Sequence, residues 1–280
     1  MKKAAVIGNP VSHSLSPYLH NHWCKIYNIQ AAYKAIQLEA IELDMFLDRI
    51  RGGEYVGASV TLPLKKEVLL KMDGLDDAAK ATGAVNTIVA MEGGKLFGRN
   101  TDPQGFSDNL RHSVPEFDAT DTTALVLGTG GAARAVVYAL LKMGISGITV
   151  IGRTKTAVEA ILDFFSNPAL KGAPWYEKDQ LTRNINLIVN ATPLGLPGFG
   201  ALELDFARMA KDALVYDLVY TPLETGFLKS ARAAKLKTIG GLGMLIYQAI
   251  PAFEAWFGVR PHVDRDLYAK LERKLSKKDH

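Results

Sequence analysis

The chain has 280 residues, 48% of them hydrophobic and 22% charged, a profile that fits one large or two medium folded domains and excludes a disordered, fibrous or membrane-embedded chain. The net charge of +4 is scattered apart from the tail Arg273, Lys274, Lys277 and Lys278, so no nucleic-acid partner is indicated, while a mild positive field suits an anionic small molecule. The single cysteine, Cys24, excludes an internal disulfide framework, and with no signal-like N-terminus and no bilayer-length apolar run the cytoplasm is the expected location.

Taken in order, Lys3-Ala4-Ala5-Val6-Ile7-Gly8 reads as a first strand that ends in the turn pair Asn9-Pro10. The loop over 11–17 leads into a helix over 17–27, with Ser16 expected at the N-cap and Pro17 at the first helical position. A second strand, Ala32-Tyr33-Lys34-Ala35-Ile36, an amphipathic helix over 43–50 and a third strand over 55–60 set up a βαβ layout. Thr61-Leu62-Pro63 breaks that third strand before a helix carrying Lys65 and Lys66. Asn86-Thr87-Ile88-Val89-Ala90 and Lys95-Leu96-Phe97-Gly98 read as a hairpin around Gly93-Gly94. Asn100-Thr101-Asp102-Pro103 is a second strong helix start, with Asp102 expected to cap, and the first domain boundary falls there.

The run Ala124-Leu125-Val126-Leu127 passes into Gly128-Thr129-Gly130-Gly131-Ala132-Ala133 and then into a helical pattern through Leu140 and Leu141, with Ile148-Thr149-Val150-Ile151 as the next strand. Gly128 permits a tight turn, Gly130 lets backbone approach a pyrophosphate, and Ala133 fills the small position that close helix-strand packing needs. Phosphate would then sit at the helix N-terminus. After the second strand stand Gly152-Arg153-Thr154-Lys155, with no acidic residue before Glu159. That chemistry favours a ribose 2′-phosphate, hence NADP over NAD. The plainer reading, a solvated helix start, would set cations against the positive end of the helix dipole. Strands over 186–190, 213–217 and 237–239 continue a doubly wound parallel sheet. From Gly243 onward the pattern is helical, and Met244, Ile246, Tyr247, Ile250, Phe253, Trp256 and Phe257 make one wide apolar face that must pack on something. His13, His20, His22 and Cys24 are metal-ligand types, but His20 and His22 stand two apart on a predicted helix and cannot face one ion, so no metal is expected.

These stretches together resemble the shikimate dehydrogenases over essentially the whole chain. The resemblance is carried by Gly8-Asn9-Pro10-Val11-Ser12-His13-Ser14-Leu15-Ser16-Pro17 through His20-Asn21, by Ser59-Val60-Thr61-Leu62-Pro63-Leu64-Lys65, and by Ala84-Val85-Asn86-Thr87. Asn100-Thr101-Asp102, the glycine turn, Asn190-Ala191-Thr192-Pro193, Asp217-Leu218-Val219-Tyr220-Thr221-Pro222 and Gly243-Met244 through Gln248 complete it. It implies an α/β protein with an N-terminal α/β substrate domain (1–103), a doubly wound Rossmann-like NADP-binding domain (104–242), and a C-terminal helical segment (243–280) that returns to the first domain. It also implies NADP-dependent reduction of 3-dehydroshikimate to shikimate on the way to aromatic amino acids. Lys65 and Asp102 would be the catalytic pair and touch substrate. Ser14 and Ser16 would hold its carboxylate, Thr61, Asn86 and Gln248 its hydroxyls or ring, and Tyr220 would lie at the domain cleft. Gly128, Gly130, Gly131 and Ala132 would cradle the cofactor, Arg153, Thr154 and Lys155 would face the 2′-phosphate, and Asn190, Thr192, Leu218 and Gly241 would line the rest. The resemblance leaves a monomer and a homodimer equally open, with small-molecule partners and neither nucleic acid nor membrane.

The chemistry stands independently of the resemblance. Hydride transfer to a ketone leaves an alkoxide, and an ammonium held against a carboxylate both stabilises that charge and supplies the proton. Each residue also has a plainer role: Ser16 and Asp102 as helix caps, Lys65 beside Lys66 as a solvated face, Gln248 as an edge residue, Asn190 and Tyr220 as turn-closers. The chain departs from the family pattern at Ser59, where Asn is usual, at Gly152, where Asn is usual, and at Ala157, where a second Arg is common, with Lys155 available to compensate. Two alternatives stay open: a quinate/shikimate dehydrogenase of broader substrate or NAD specificity, and a non-catalytic NADP- or shikimate-binding regulator on the same fold.

Overall fold

The alternation of strands and helices closes into two six-stranded sheets in this computed structural model, which describes residues 1–276. The tail lysines Lys277 and Lys278 lie outside the described residues. In chain order the elements begin β1 (Lys2–Gly8), α1 (Ser16–Ile26), β2 (Ala31–Gln37), α2 (Leu43–Arg51), β3 (Gly57–Val60), α3 (Lys65–Leu69), β4 (Gly74–Leu75), α4 (Asp77–Thr82), β5 (Thr87–Ala90) and β6 (Leu96–Arg99). They continue α5 (Asp102–Ser113), β7 (Thr123–Leu127), α6 (Gly131–Lys142), β8 (Gly147–Gly152), α7 (Lys155–Phe165), β9 (Leu170–Pro174), α8 (Lys178–Leu181), β10 (Leu187–Asn190) and β11 (Leu214–Asp217). Last come α9 (Gly226–Ala233), β12 (Lys237–Ile239), α10 (Gly241–Phe257) and α11 (Arg265–Ser276).

Two compact units result: Met1–Asp102 with Ile246–Leu271, and Pro103–Leu245 with the segment from Glu272. The first holds the sheet β2-β1-β3-β5-β6-β4. Its strands β2, β1 and β3 run parallel, and the β5–β6 hairpin is added antiparallel through Ser59 opposite Thr87. One face is covered by the apolar stripe of α2, Leu43, Phe46, Leu47 and Ile50, on Ala5, Ile7, Ala58, Val60 and Ile88. In the same unit the wide apolar face of α10 finds its partner on α1 and the sheet: Phe253 stacks near Trp23 and His20, and Trp256 Nε1 donates to the Ile88 carbonyl at 2.8 Å.

The second unit carries the all-parallel sheet β12-β11-β10-β7-β8-β9. Its strands are apolar without alternation because both faces are covered. Along β7, Ala124 and Val126 join the core under α5 and α6, and Leu125 and Leu127 join the core under α9. Chain order runs outward from β7 to β8 and β9 on one side and through β10, β11 and β12 on the other, so the order reverses between β7 and β10. In an open α/β sheet the crevice beyond the strand ends at that reversal is where ligands bind. Among the described residues no helix is long and apolar enough to cross a membrane.

Two capping expectations are corrected. The first helix begins at Ser16 itself, with Leu15 in the N-cap position and no side-chain cap there. The Ser16 N–H is instead taken by Ser14 Oγ at 3.2 Å. Likewise α5 begins at Asp102, whose own N–H donates to Asn100 Oδ1 at 3.1 Å. Neither Ser16 nor Asp102 spends its side chain on capping.

Candidate active site

In the first unit a polar network gathers at the ends of β3, β5 and β6. Lys65 opens α3 just after the Thr61-Leu62-Pro63-Leu64 turn, where the Leu64 N–H donates back to the Thr61 carbonyl. Its Nζ donates to Asp102 Oδ2 at 2.6 Å, with the two side chains 25% and 15% exposed. For a pair this sheltered the cost of desolvating two charges offsets much of their attraction, so it is weak evidence of a role in folding stability. The second carboxylate oxygen, Oδ1, accepts from Asn86 Nδ2 at 2.8 Å. Asn86 is buried and fully engaged: the same Nδ2 donates to Thr101 Oγ1, and its Oδ1 accepts from the Thr101 N–H and the Thr87 hydroxyl. Thr101 Oγ1 also lies 3.4 Å from Gln248 Oε1, to which it donates, on the part of α10 that belongs to this unit. Lys65, Asn86, Asp102 and Gln248 are thus brought together. The Asn86 amide serves here to orient the carboxylate.

The other expected substrate residues of this unit flank a phenol that the sequence did not single out. Tyr33, on β2, is buried and donates to Ser59 Oγ at 2.7 Å, and it is hydrogen bonded to the Ser16 hydroxyl as well. Burial pushes its phenol pKa up. One tyrosine therefore ties the serine-rich loop to the end of β3 at Ser59. Thr61 is held against the end of β1: Gly8 has φ +151, and a Cβ there would lie 2.6 Å from both Thr61 Cγ2 and the Leu62 carbonyl oxygen. Only glycine lets the two loops approach so closely.

In the second unit the glycine turn fits a pyrophosphate. Gly128 adopts φ +117, and a Cβ on it would sit 2.9 Å from the Ala191 carbonyl oxygen, so the turn lies directly against the end of β10. Around Gly130 and Gly131 a Cβ would meet nothing within 4 Å. The exposed backbone of Gly130, Gly131 and Ala132 at the start of α6 is therefore open to an anion, with the free N–H groups of the first helical turn behind it.

Opposite the turn, Asn190 is fully buried and accepts from the Thr192 N–H and hydroxyl, while its Nδ2 donates to Asp217 Oδ1 at 2.8 Å. Asp217 also accepts from the Val219 N–H and from Thr225 Oγ1. Burial raises its pKa, and these three donors oppose that rise. The network fixes the loops after β10 and β11. Gly241 packs under the second of them: a Cβ on it would lie 2.1 Å from the Leu218 carbonyl oxygen. Tyr220 follows on the same loop and belongs to this second unit, with its phenol pKa raised by burial.

At the end of β8, Arg153 is exposed and Thr154 caps α7, its Oγ1 accepting from the Ala157 N–H at 3.4 Å. Lys155 is 87% exposed and pairs with Glu159 at 3.5 Å. The sequence missed one grouping of metal-ligand types, His22 with Asp264 and Asp266, whose ligand atoms lie within 4.8 Å of one another. Asp264 caps α11 through the Leu267 N–H and Asp266 pairs with Lys270, so both carboxylates already have structural employment.

Comparison with known proteins finds relatives over the whole chain. Residues 6–88 match the family model of the shikimate dehydrogenase substrate binding domain, and residues 241–265 that of the shikimate 5′-dehydrogenase C-terminal domain. Shikimate dehydrogenase (NADP(+)) of Brucella abortus is 41% identical over 279 residues, covering 99% of this chain and 96% of that protein. The crystal structure of shikimate 5-dehydrogenase from Thermus thermophilus in complex with NADP(H) and shikimate superposes with a TM-score of 0.86 at 36% identity, covering 98% of this chain and 100% of that one. Quinate dehydrogenase from Corynebacterium glutamicum in complex with NAD gives a TM-score of 0.89 at 29% identity, with 96% and 98% covered. With whole-length identity above 40% to a shikimate dehydrogenase and both family models in place, this chain belongs to the shikimate dehydrogenase family.

Proposed function

We propose that this chain is an NADP-dependent oxidoreductase that reversibly reduces 3-dehydroshikimate to shikimate, a step of the shikimate pathway toward chorismate and the aromatic amino acids. The observation that carries the reading is the Lys65–Asp102 pair, oriented by Asn86, in a chain whose glycine turn is open to a dinucleotide. Ser14 and Ser16 take the substrate carboxylate, and Thr61 and Gln248 take its hydroxyl groups, while Asn86, expected to touch substrate, has its amide fully engaged and acts by orienting Asp102. NADPH supplies the hydride. As the hydride reaches the carbonyl carbon, Lys65 Nζ gives a proton to the carbonyl oxygen, and Asp102 holds the ammonium in line through Oδ2. In the oxidative direction the proton of the shikimate hydroxyl returns to Nζ. Because Oδ1 of Asp102 is tied to Asn86, the carboxylate cannot rotate away while the proton moves. Arg153 and Thr154, with Lys155 nearby, meet the cofactor 2′-phosphate, a fit of cations and hydroxyls to a dianion.

The test is the absorbance of the reduced cofactor over a grid of NADP and NAD against shikimate and quinate. Turnover confined to NADP with shikimate is expected. Comparable turnover with quinate or NAD would overturn the specificity, and binding without turnover would leave a regulator. The enzyme is proposed to work in the cytoplasm as a monomer or homodimer, which light scattering on the purified chain decides.

A further inference from the structure

At the end of β8 stands Gly152, and Thr129 of the glycine turn fills the space a side chain there would take. A Cβ on Gly152 would lie 2.6 Å from Thr129 Cγ2, 3.1 Å from Val158 Cγ2 and 3.5 Å from Thr129 Oγ1. Contacts that short are not sustained, so residue 152 has no room for a side chain while Thr129 keeps its place. Thr129 is the residue between Gly128 and Gly130 in the glycine turn, and it is half-buried. Its hydroxyl enters none of the hydrogen bonds among the described residues. Threonine and glycine here form a complementary pair: the turn contributes the side chain that the strand end lacks.

The chemistry around this pair is short of donors for a phosphate monoester. Arg153 offers its guanidinium and Thr154 the one proton of a hydroxyl whose oxygen accepts a capping bond, while Lys155 is paired with Glu159 and Ala157 has no donor. In a βαβ dinucleotide unit the end of the second strand faces the adenosine ribose, so a hydroxyl standing beside residue 152 faces the ribose 2′ position. We propose that Thr129 is a determinant of cofactor selectivity, its Oγ1 donating to the 2′-phosphate of NADP alongside Arg153. The assignment deepens the NADP reading and rests on it.

Thr129→Val keeps the branched shape against Gly152 and removes only the hydroxyl. Isothermal titration with adenosine 2′,5′-bisphosphate and with 5′-AMP reads the effect without turnover. A hydrogen bond to a charged group predicts a ~10–100-fold weaker Kd for the bisphosphate, with 5′-AMP held within about twofold. Equal weakening of both ligands, or of neither, overturns the assignment. A reciprocal variant guards against a simple packing defect. Gly152→Asn alone collides with Thr129 and lowers Tm, and adding Thr129→Ala opens the space and restores Tm while the bisphosphate stays weakly bound for want of the hydroxyl; a double variant that melts with the single one overturns the pairing. If the unaltered chain fails to bind the bisphosphate, the NADP reading itself falls, whereas normal binding with an insensitive Thr129→Val removes only the role of Thr129.

Discussion

His20 makes the stability of the first unit acid-sensitive. It sits on α1 with no exposed surface, stacked on Tyr33 at 4.2 Å between ring centroids and ringed by Trp23, Phe253 and Trp256. Neither ring nitrogen has a hydrogen-bond partner among the described residues. Burial lowers its pKa from the ordinary 6.5 to about 3. The unfolded chain therefore takes up a proton below pH 6.5 that the folded chain refuses until about pH 3. Stability from the neutral imidazole is fully present above the unfolded pKa and is lost as pH falls through the window between the two values. At pH 5 the loss is about 2 kcal/mol, because each pH unit below the unfolded value costs about 1.4 kcal/mol. His20→Phe cannot titrate. Its larger ring brings a packing cost of roughly 1–3 kcal/mol, and removing two orphaned nitrogens offsets part of that, but both effects are the same at every pH. Urea unfolding of both proteins at pH 8 and pH 5 isolates the proton: the difference between them should move by about 2 kcal/mol in the variant's favour at the lower pH. Parallel losses in the two proteins would show that His20 does not carry the acid sensitivity.

Lys65→Met should lower kcat by roughly 10²–10⁴-fold while leaving the NADPH dissociation constant, read by fluorescence, unchanged; an unaltered kcat removes Lys65 from proton transfer. Tyr33→Phe deletes the bonds to Ser59 and Ser16 and should raise the KM for shikimate by about fivefold at unchanged kcat, the worth of one ordinary hydrogen bond. A KM that stays put would make that tyrosine a core residue only. Gly128→Ala forces a Cβ toward the Ala191 carbonyl at φ +117 and should cost about 1–3 kcal/mol of stability together with NADP affinity. A variant that melts with the parent and binds NADP equally well would contradict the close approach of turn and strand end.

The parallel sheet of the second unit was legible because β7, β8, β10 and β11 are apolar runs that must be buried on both faces. β9 was not read, since Lys171, Gly172 and Pro174 resemble a turn; it survives as the edge strand, where a proline and exposed residues are tolerated. β4 has two residues, too few to show a period. At the site, Lys65 and Asp102 were found through their motifs, yet nothing in the spacing could reveal that Asn86 spends its amide on Asp102. Tyr33 and His20 escaped for a related reason. Tyr33 reads as an apolar position of its strand and His20 only as a metal-ligand type on its helix, and most of their partners stand on other elements, Ser59 at a separation of 26 residues in the case of Tyr33.

The misreading of Ser16 and Asp102 as caps has a physical lesson in it. A polar residue at a helix start is ordinarily consumed by the orphan N–H groups of the first turn. Here the residue two places upstream does that work: Ser14 Oγ takes the Ser16 N–H, and Asn100 Oδ1 takes the Asp102 N–H. The same i to i+2 closure recurs in the second unit, where Asn190 Oδ1 takes the Thr192 N–H and Asp217 Oδ1 takes the Val219 N–H. In each place a short polar side chain closes the backbone turn at a strand end or helix start. The downstream group is then released from local duty, and in the first unit the released groups are the hydroxyl of Ser16, which meets Tyr33, and the carboxylate of Asp102, which meets Lys65. A polar pair at spacing two, placed where a helix begins, therefore marks a side chain available for chemistry more specifically than the helix-start residue taken alone.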